Sequence, residues 1–279
     1  MFSNVNEVVE QVRLATENGY EFYIDWHRSC YKAQDRHEDP WNYYFEQPFG
    51  VLPVAGKKYK RLQTGRPVAC TKDNIITPRL RDGDCNPLLL PKDRLAASKL
   101  IERYILLNDS TKQVLEKFIS ESFYPEMIGA HIRGRGRRDD GSAQLRGLED
   151  IDEPVNLEPY FTAIDTYLAE LPEAGILICS DSEEIISQVT KRYGERLVTY
   201  DATRSEFGEM HANHPENAGL KFDPHNLGLD ILVEAHALAR CDAFVHGNSN
   251  IANFVLCRAP DLKNTYVYEG IDPLIVECK

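Results

Sequence analysis

Two rhythms of apolar positions run through this chain. From residue 4 to residue 18, Val5, Val8, Val9, Val12 and Ala15 recur at three- and four-residue intervals, the period of one helix face. Asn4 and Glu7 are placed as a capping box for that helix, and Asn18-Gly19 as its stop. The apolar run YEFYIDW that follows, residues 20–26, predicts a strand. A chain that opens helix then strand lacks the first strand of a βαβ unit, which leaves room for an element ahead of Met1. Between Pro40 and Pro91 short apolar pieces are broken by proline and glycine, a pattern that predicts long surface loops. Helical periodicity returns over 95–105 and over 111–123, the second with Ser110 as N-cap.

Beyond Met127 the order becomes regular. Short apolar runs at 127–132, 175–180, 196–200, 242–246 and 264–269 alternate with amphipathic stretches at 157–171, 182–193, 228–241 and 250–259. Near-continuous apolar strands separated by helices predict a parallel, doubly wound α/β sheet. Ligands of such sheets bind beyond the carboxyl ends of the strands, so the chemistry is to be sought just after each apolar run.

Size and charge narrow the classes. A chain of 279 residues buries one large core or two smaller ones, and two domains are expected at this length. The balance of 42% hydrophobic and 27% charged residues is that of a globular protein, without repeats or low-complexity segments. A formal net charge of −12 argues against the broad basic surface that non-specific nucleic-acid binding requires. No run approaches the roughly 20 apolar residues that cross a bilayer. The start MFSNVNEVVE has neither a basic nor an apolar leader region, so a cytoplasmic protein is expected, with peripheral membrane association left open. Its seven cysteines are scattered and never spaced C-x-x-C, which predicts reduced core thiols over zinc ligands or disulfides.

In this acidic chain, residues 129–140, GAHIRGRGRRDD, crowd four arginines and three glycines behind an apolar run. Arg133, Gly134, Arg135 and Gly136 supply guanidinium forks and close backbone approach, the means by which a turn holds a diphosphate; the same run also fits a solvated basic loop. Ser180 and Asp181, after the next run, are placed to receive a ribose or nucleobase, while Asp181 with Glu184 also reads as a capping box. His246, Gly247, Asn248, Ser249 and Asn250 form a polar turn into a helix, whose free N–H groups suit an anion; plain N-capping by Ser249 or Asn250 is compatible with that.

IGAHIRGRGRRDD resembles the H-x-R motif of the fucosyltransferase superfamily that holds the rhizobial nodulation fucosyltransferase, the core α1,6-fucosyltransferases and the protein O-fucosyltransferases. EFYIDWHRSCY, residues 21–31, is similar to an early segment of the rhizobial enzyme. LICSDSEEI is similar to the superfamily's middle motif, and LVEAHALARCDAFVHGNSN to its last, in the superfamily's order along the chain. The resemblance implies a GT-B architecture, two Rossmann-like domains with parallel sheets facing a central cleft, 1–122 on the acceptor side and 123–279 holding the nucleotide sugar. It implies GDP-fucose as donor substrate, a glycan hydroxyl as acceptor, inversion at the anomeric carbon, and neither cofactor nor metal.

By the same resemblance Arg133 matches the arginine that grips the β-phosphate, His131 the histidine of that motif, and Asp181 a donor-binding acid. Glu234 stands where relatives usually carry aspartate. Ser249 and Asn250 fall in the phosphate-contacting turn, with His246 leading into it. Gly134 and Gly136 occupy the places of a second arginine and an aspartate, so Arg135 and Asp139 are displaced along the loop. Of the strand and glycine-rich turn that open the relatives, only FSNVNEVV remains. Candidate bases for the acceptor hydroxyl are Asp139, Asp140 and Glu149 beside the arginines, and Asp25 at the end of the 20–26 run. His211, His214 and His225 lack the spacing of a helical zinc pair and suit a loop against guanine or acceptor. His236 reads as a hydrogen-bonded core histidine, His27 as a cleft residue beside Trp26 and Arg28, and the aromatics of WNYYF as core. The alternatives are a transferase of this fold for another nucleotide sugar, and a nucleotide-sugar or glycan-binding protein without chemistry.

Overall fold

The computed structural model describes residues 1–27, 29, 31–33, 35–50, 91–134, 155–206, 222–247 and 249–267. At its centre lies a parallel sheet of β1 (Met127–His131), β2 (Gly175–Cys179), β3 (Leu197–Val198), β4 (Ala243–His246) and β5 (Lys263–Tyr266). The strand order is β3-β2-β1-β4-β5 and every pairing is parallel. Strands β1, β2 and β4 are buried along their whole length, which is why their sequence is apolar at every position instead of alternating. The two edge strands are shorter than the apolar runs predict.

Alternate side chains serve the two faces. Ile128, Ala130, Ile132, Ile176, Ile178 and Val245 pack under α4 (Glu158–Glu170) and α5 (Glu183–Tyr193), against Tyr160, Ile164, Ile185 and Val189. Met127, Leu177, Cys179 and Phe244 face α6 (Pro224–Leu238) and α7 (Asn250–Arg258). Gly129 lies on this second face, where an added Cβ would come within 2.9 Å of Leu238 and 3.0 Å of Cys241. Here the backbone of β1 meets side chains at and just beyond the end of α6.

The N-terminal half joins the second face. Helices α1 (Phe2–Glu17) and α2 (Pro91–Tyr104) pack on α7, and α3 (Asp109–Ser122) packs on α6, within one continuous core. Phe2 packs on Phe254 in a tilted pair with ring centroids 4.4 Å apart. Burial of Phe2 draws the start of α1 ahead of the expected capping box: Met1 is the N-cap, and Asn4 and Glu7 lie inside the helix. The stop at Asn18-Gly19 is as expected, with Gly19 at φ +68°. Asn108, not Ser110, caps α3 by accepting from Thr111 N at 3.0 Å.

Residues 20–26 form no strand among the described residues. Side chains take the place of a neighbouring strand. The Gln47 amide accepts from Ile24 N and donates to Ile24 O at 3.2 and 3.0 Å, and the Asp39 carboxylate accepts from Trp26 N at 2.9 and 3.0 Å. Asp39 also caps a 3-10 turn at Pro40–Tyr43. Trp41, Tyr43, Tyr44 and Phe45 are buried, as the aromatic run predicts. Residues 51–90, most of the predicted loop region, lie outside the described residues. Cys179, Cys241 and Cys257 are buried and in no disulfide, as expected; the other four cysteines lie outside the described residues. No helix among the described residues is long and apolar enough to cross a membrane.

Candidate functional site

The carboxyl ends of β2, β1 and β4 lie side by side, with His131 in register between Cys179 and His246. His131 Nδ1 lies 3.1 Å from Ser249 Oγ, and that oxygen caps α7 by accepting from Ala252 N at 2.9 Å. The Ser249 hydroxyl proton is therefore available to the imidazole. Burial pushes His131 down to about 4, with Asp181 opposing and Arg133 and His246 adding to the fall, so its ring is neutral at pH 7. Arg133, half-buried, stands at the strand exit, and the next residue, Gly134, donates its N–H to Asp181 Oδ1 at 2.7 Å.

That bond changes the role of Asp181 in its own turn. The expected Asp181–Glu184 capping box does not form; Ser182 is the N-cap of α5, accepting from Ile185 N. Ser180 Oγ accepts from Ser182 N at 3.1 Å, so Ser180 shapes the turn from within. The Asp181 carboxylate is instead drawn across to the loop after β1. Three motifs far apart in sequence are thus tied into one rim, Ser249 to His131 and Gly134 to Asp181.

Beneath the rim sits Arg204, which no local spacing singles out. Its Nε donates to Ser180 O at 3.1 Å, Nη1 to Ala202 O at 3.0 Å, and Nη2 to Tyr200 O at 2.7 Å and Glu234 Oε1 at 3.2 Å. Glu234 is therefore engaged inward; burial pushes its carboxyl up to about 8 against the pull of Arg204. Thr203 binds Asp230 through N and Oγ1, while Ser205 N donates to Asp181 O at 3.1 Å. Residues 200–206 thus brace the turn that carries Asp181.

His246 turns into the sheet layer, stacked on Phe244, with Nδ1 3.1 Å from Gly247 O. Burial pushes it down to about 4. Asn250 opens α7, and its carbonyl accepts from the Asn6 amide at 3.2 Å. His225 lies in the first turn of α6, stacked on Tyr44. His236 is buried as expected, but its Nε2 has no hydrogen-bond partner among the described residues, so the expected bonding is incomplete. Arg135, Asp139, Asp140, Glu149, Asn248, His211, His214 and Arg28 lie outside the described residues.

Asp25 is exposed and forms a cluster with His27 and Asp39. His27 Nδ1 lies 2.6 Å from Asp39 Oδ2 and 3.0 Å from Asp25 Oδ1. Burial works to raise Asp25, but the backbone and ring N–H of His27 bring it below its ordinary value. Ligand-type atoms of the three residues come within 4.8 Å of one another. Both carboxylates lie within hydrogen-bond distance of His27 Nδ1, which makes this a hydrogen-bonded set.

No protein-family model matches the chain, and no curated protein matches it. Among solved structures, the fucosyltransferase NodZ from Bradyrhizobium matches with a TM-score of 0.52 at 18% identity, over 92% of this chain and 88% of that one. NodZ α-1,6-fucosyltransferase co-crystallised with GDP matches at 0.51 and 15% identity, over 92% and 87%. POFUT1 in complex with GDP-fucose matches 62% of this chain at 0.41 and 12% identity, and the chain covers 49% of POFUT1, about half its length. With its parallel sheet and the NodZ match over nine-tenths of its length, this chain has a fucosyltransferase-like α/β fold of GT-B type.

Proposed function

We propose that the protein is an inverting glycosyltransferase that moves fucose from GDP-fucose to a glycan hydroxyl without a metal, residues 123–279 forming the donor side and 1–122 the acceptor side. The observation that carries this reading is the single rim made by the exits of β1, β2 and β4 on a fucosyltransferase-like fold. The parts of that rim suit the parts of the donor. Asp181 accepts hydrogen bonds and suits the hydroxyls and N–H groups of a nucleoside. Arg133, with Arg135 two positions on in the sequence and the start of α7 at Ser249 and Asn250, suits the diphosphate.

As the bond from fucose C1 to the diphosphate lengthens, negative charge gathers on the leaving phosphate, and donors fixed in advance lower the barrier. Loss of one such donor costs about 10²–10³-fold in turnover. Release of GDP from GDP-fucose, followed in wild type and Arg133→Ala, tests the reading. Wild type is expected to release GDP and the variant to lose activity on that scale. GDP binding without any turnover would instead make this a binding protein, and faster turnover of a different nucleotide sugar would remove fucose from the assignment.

A further inference from the structure

We infer that His27, oriented by Asp39, is the general base that takes the proton of the acceptor hydroxyl. This assignment rests on the glycosyltransferase reading above and supplies the group that reading leaves open. The Asp39 side chain is 1% exposed and fixed by N–H groups from Trp26 and Trp41, whereas the His27 ring is 49% exposed. Two carboxylates converge on one ring nitrogen, so Nδ1 carries the hydrogen and the lone pair of neutral His27 resides on Nε2. A buried carboxylate that fixes the tautomer and later stabilises the imidazolium is the arrangement that makes an imidazole an effective base. Among the described residues, the ionisable groups around the ring are Asp25 and Asp39, with the Tyr23 phenol close to both. Asp25 commits its Oδ1 to the backbone N and Nδ1 of His27.

The surrounding segment lies at the strand-exit end of the sheet. The Tyr44 hydroxyl donates to His225 O at 2.9 Å, at the start of α6, and the Met1 ammonium donates to the Tyr31 hydroxyl. Helix α1, which begins there, gives its Asn6 amide to Asn250, the neighbour of the Ser249 that holds His131. Helices α6 and α7 both start at this end, because one ends where β4 begins and the other begins after β4 finishes.

In the step assigned, the acceptor O–H proton moves to Nε2 of His27 and the oxygen lone pair forms the bond to fucose C1. The bond from C1 to the phosphate oxygen breaks with its electron pair going to GDP, and the imidazolium then returns the proton to solvent. Water can stand in for the glycan, with free fucose as the product.

The test uses the whole chain with GDP and GDP-fucose, water as acceptor, and His27→Ala and His27→Gln; Asp39 is left intact because it caps the Pro40–Tyr43 turn. Both variants are expected to gain the wild-type melting shift with GDP while releasing GDP from GDP-fucose about 10²–10⁴-fold more slowly. Added imidazole should restore part of the turnover of His27→Ala. A His27→Ala protein within about threefold of wild type overturns the assignment. A wild type that binds GDP yet releases none from GDP-fucose overturns the glycosyltransferase reading and, with it, the base assignment. A wild type that fails to bind GDP overturns the glycosyltransferase reading itself.

Discussion

Burial sets the acid behaviour of three histidines. His131 and His246 are pushed down to about 4 and His236 to about 3, so all three are neutral in the fold at pH 7. In the unfolded chain an imidazole takes up its proton below about 6.5. Their stabilising contribution is therefore whole above that value and is lost as pH falls through about 4. Urea melts from neutral to acid pH should show the midpoint dropping across that window. His236→Leu should flatten the drop and add about 1 kcal/mol at neutral pH, because His236 Nε2 is buried beside Phe254 without a partner among the described residues. A midpoint that is level to pH 4, or a less stable leucine variant, would contradict this. His131 and Ser249 are each legible in the sequence as motif residues, but the bond between them spans 118 positions and leaves no local trace. Arg204 and Asp39 are illegible for the same reason: their partners belong to several separate segments, and nothing in their own neighbourhood distinguishes them from surface charges.

Elements were legible where burial constrains every position. The fully apolar runs of β1, β2 and β4 and the helices between them follow from a sheet covered on both faces. The caps were less so, since neighbouring polar residues compete and tertiary contacts decide. Asn108 wins over Ser110, and Ser182 over Asp181 once Asp181 reaches Gly134. The 20–26 run misled because an apolar stretch does not reveal whether a strand or the Gln47 and Asp39 side chains will meet its backbone. Gly228 inverts a propensity argument. In mid-helix, glycine to alanine gains about 1 kcal/mol. Here an added Cβ would strike the Tyr44 hydroxyl, with Tyr44 Cζ at 2.6 Å and Met1 Cε at 2.7 Å, and the Tyr44 ring is fully buried. Gly228→Ala should lower stability by about 1–3 kcal/mol in a denaturant melt; a more stable variant would mean that the N-terminal segment does not press on α6.

At the scale of the molecule, the N-terminal half shares a core with α6 and α7, so the segment carrying His27 and the rim carrying Arg133 are built onto one body. In the proposed reaction one side stabilises the leaving diphosphate and the other takes the acceptor proton. Both depend on a nucleotide diphosphate resting on the rim. Isothermal titration of GDP, with UDP and CMP as controls, into wild type and Arg133→Ala tests this most directly. The expected result is one GDP site in wild type, little or no heat from UDP or CMP, and GDP affinity at least about tenfold weaker in the variant, the loss of a charge-assisted phosphate contact worth about 1.4 kcal/mol or more. GDP binding equally well to both proteins, or to neither, would contradict it.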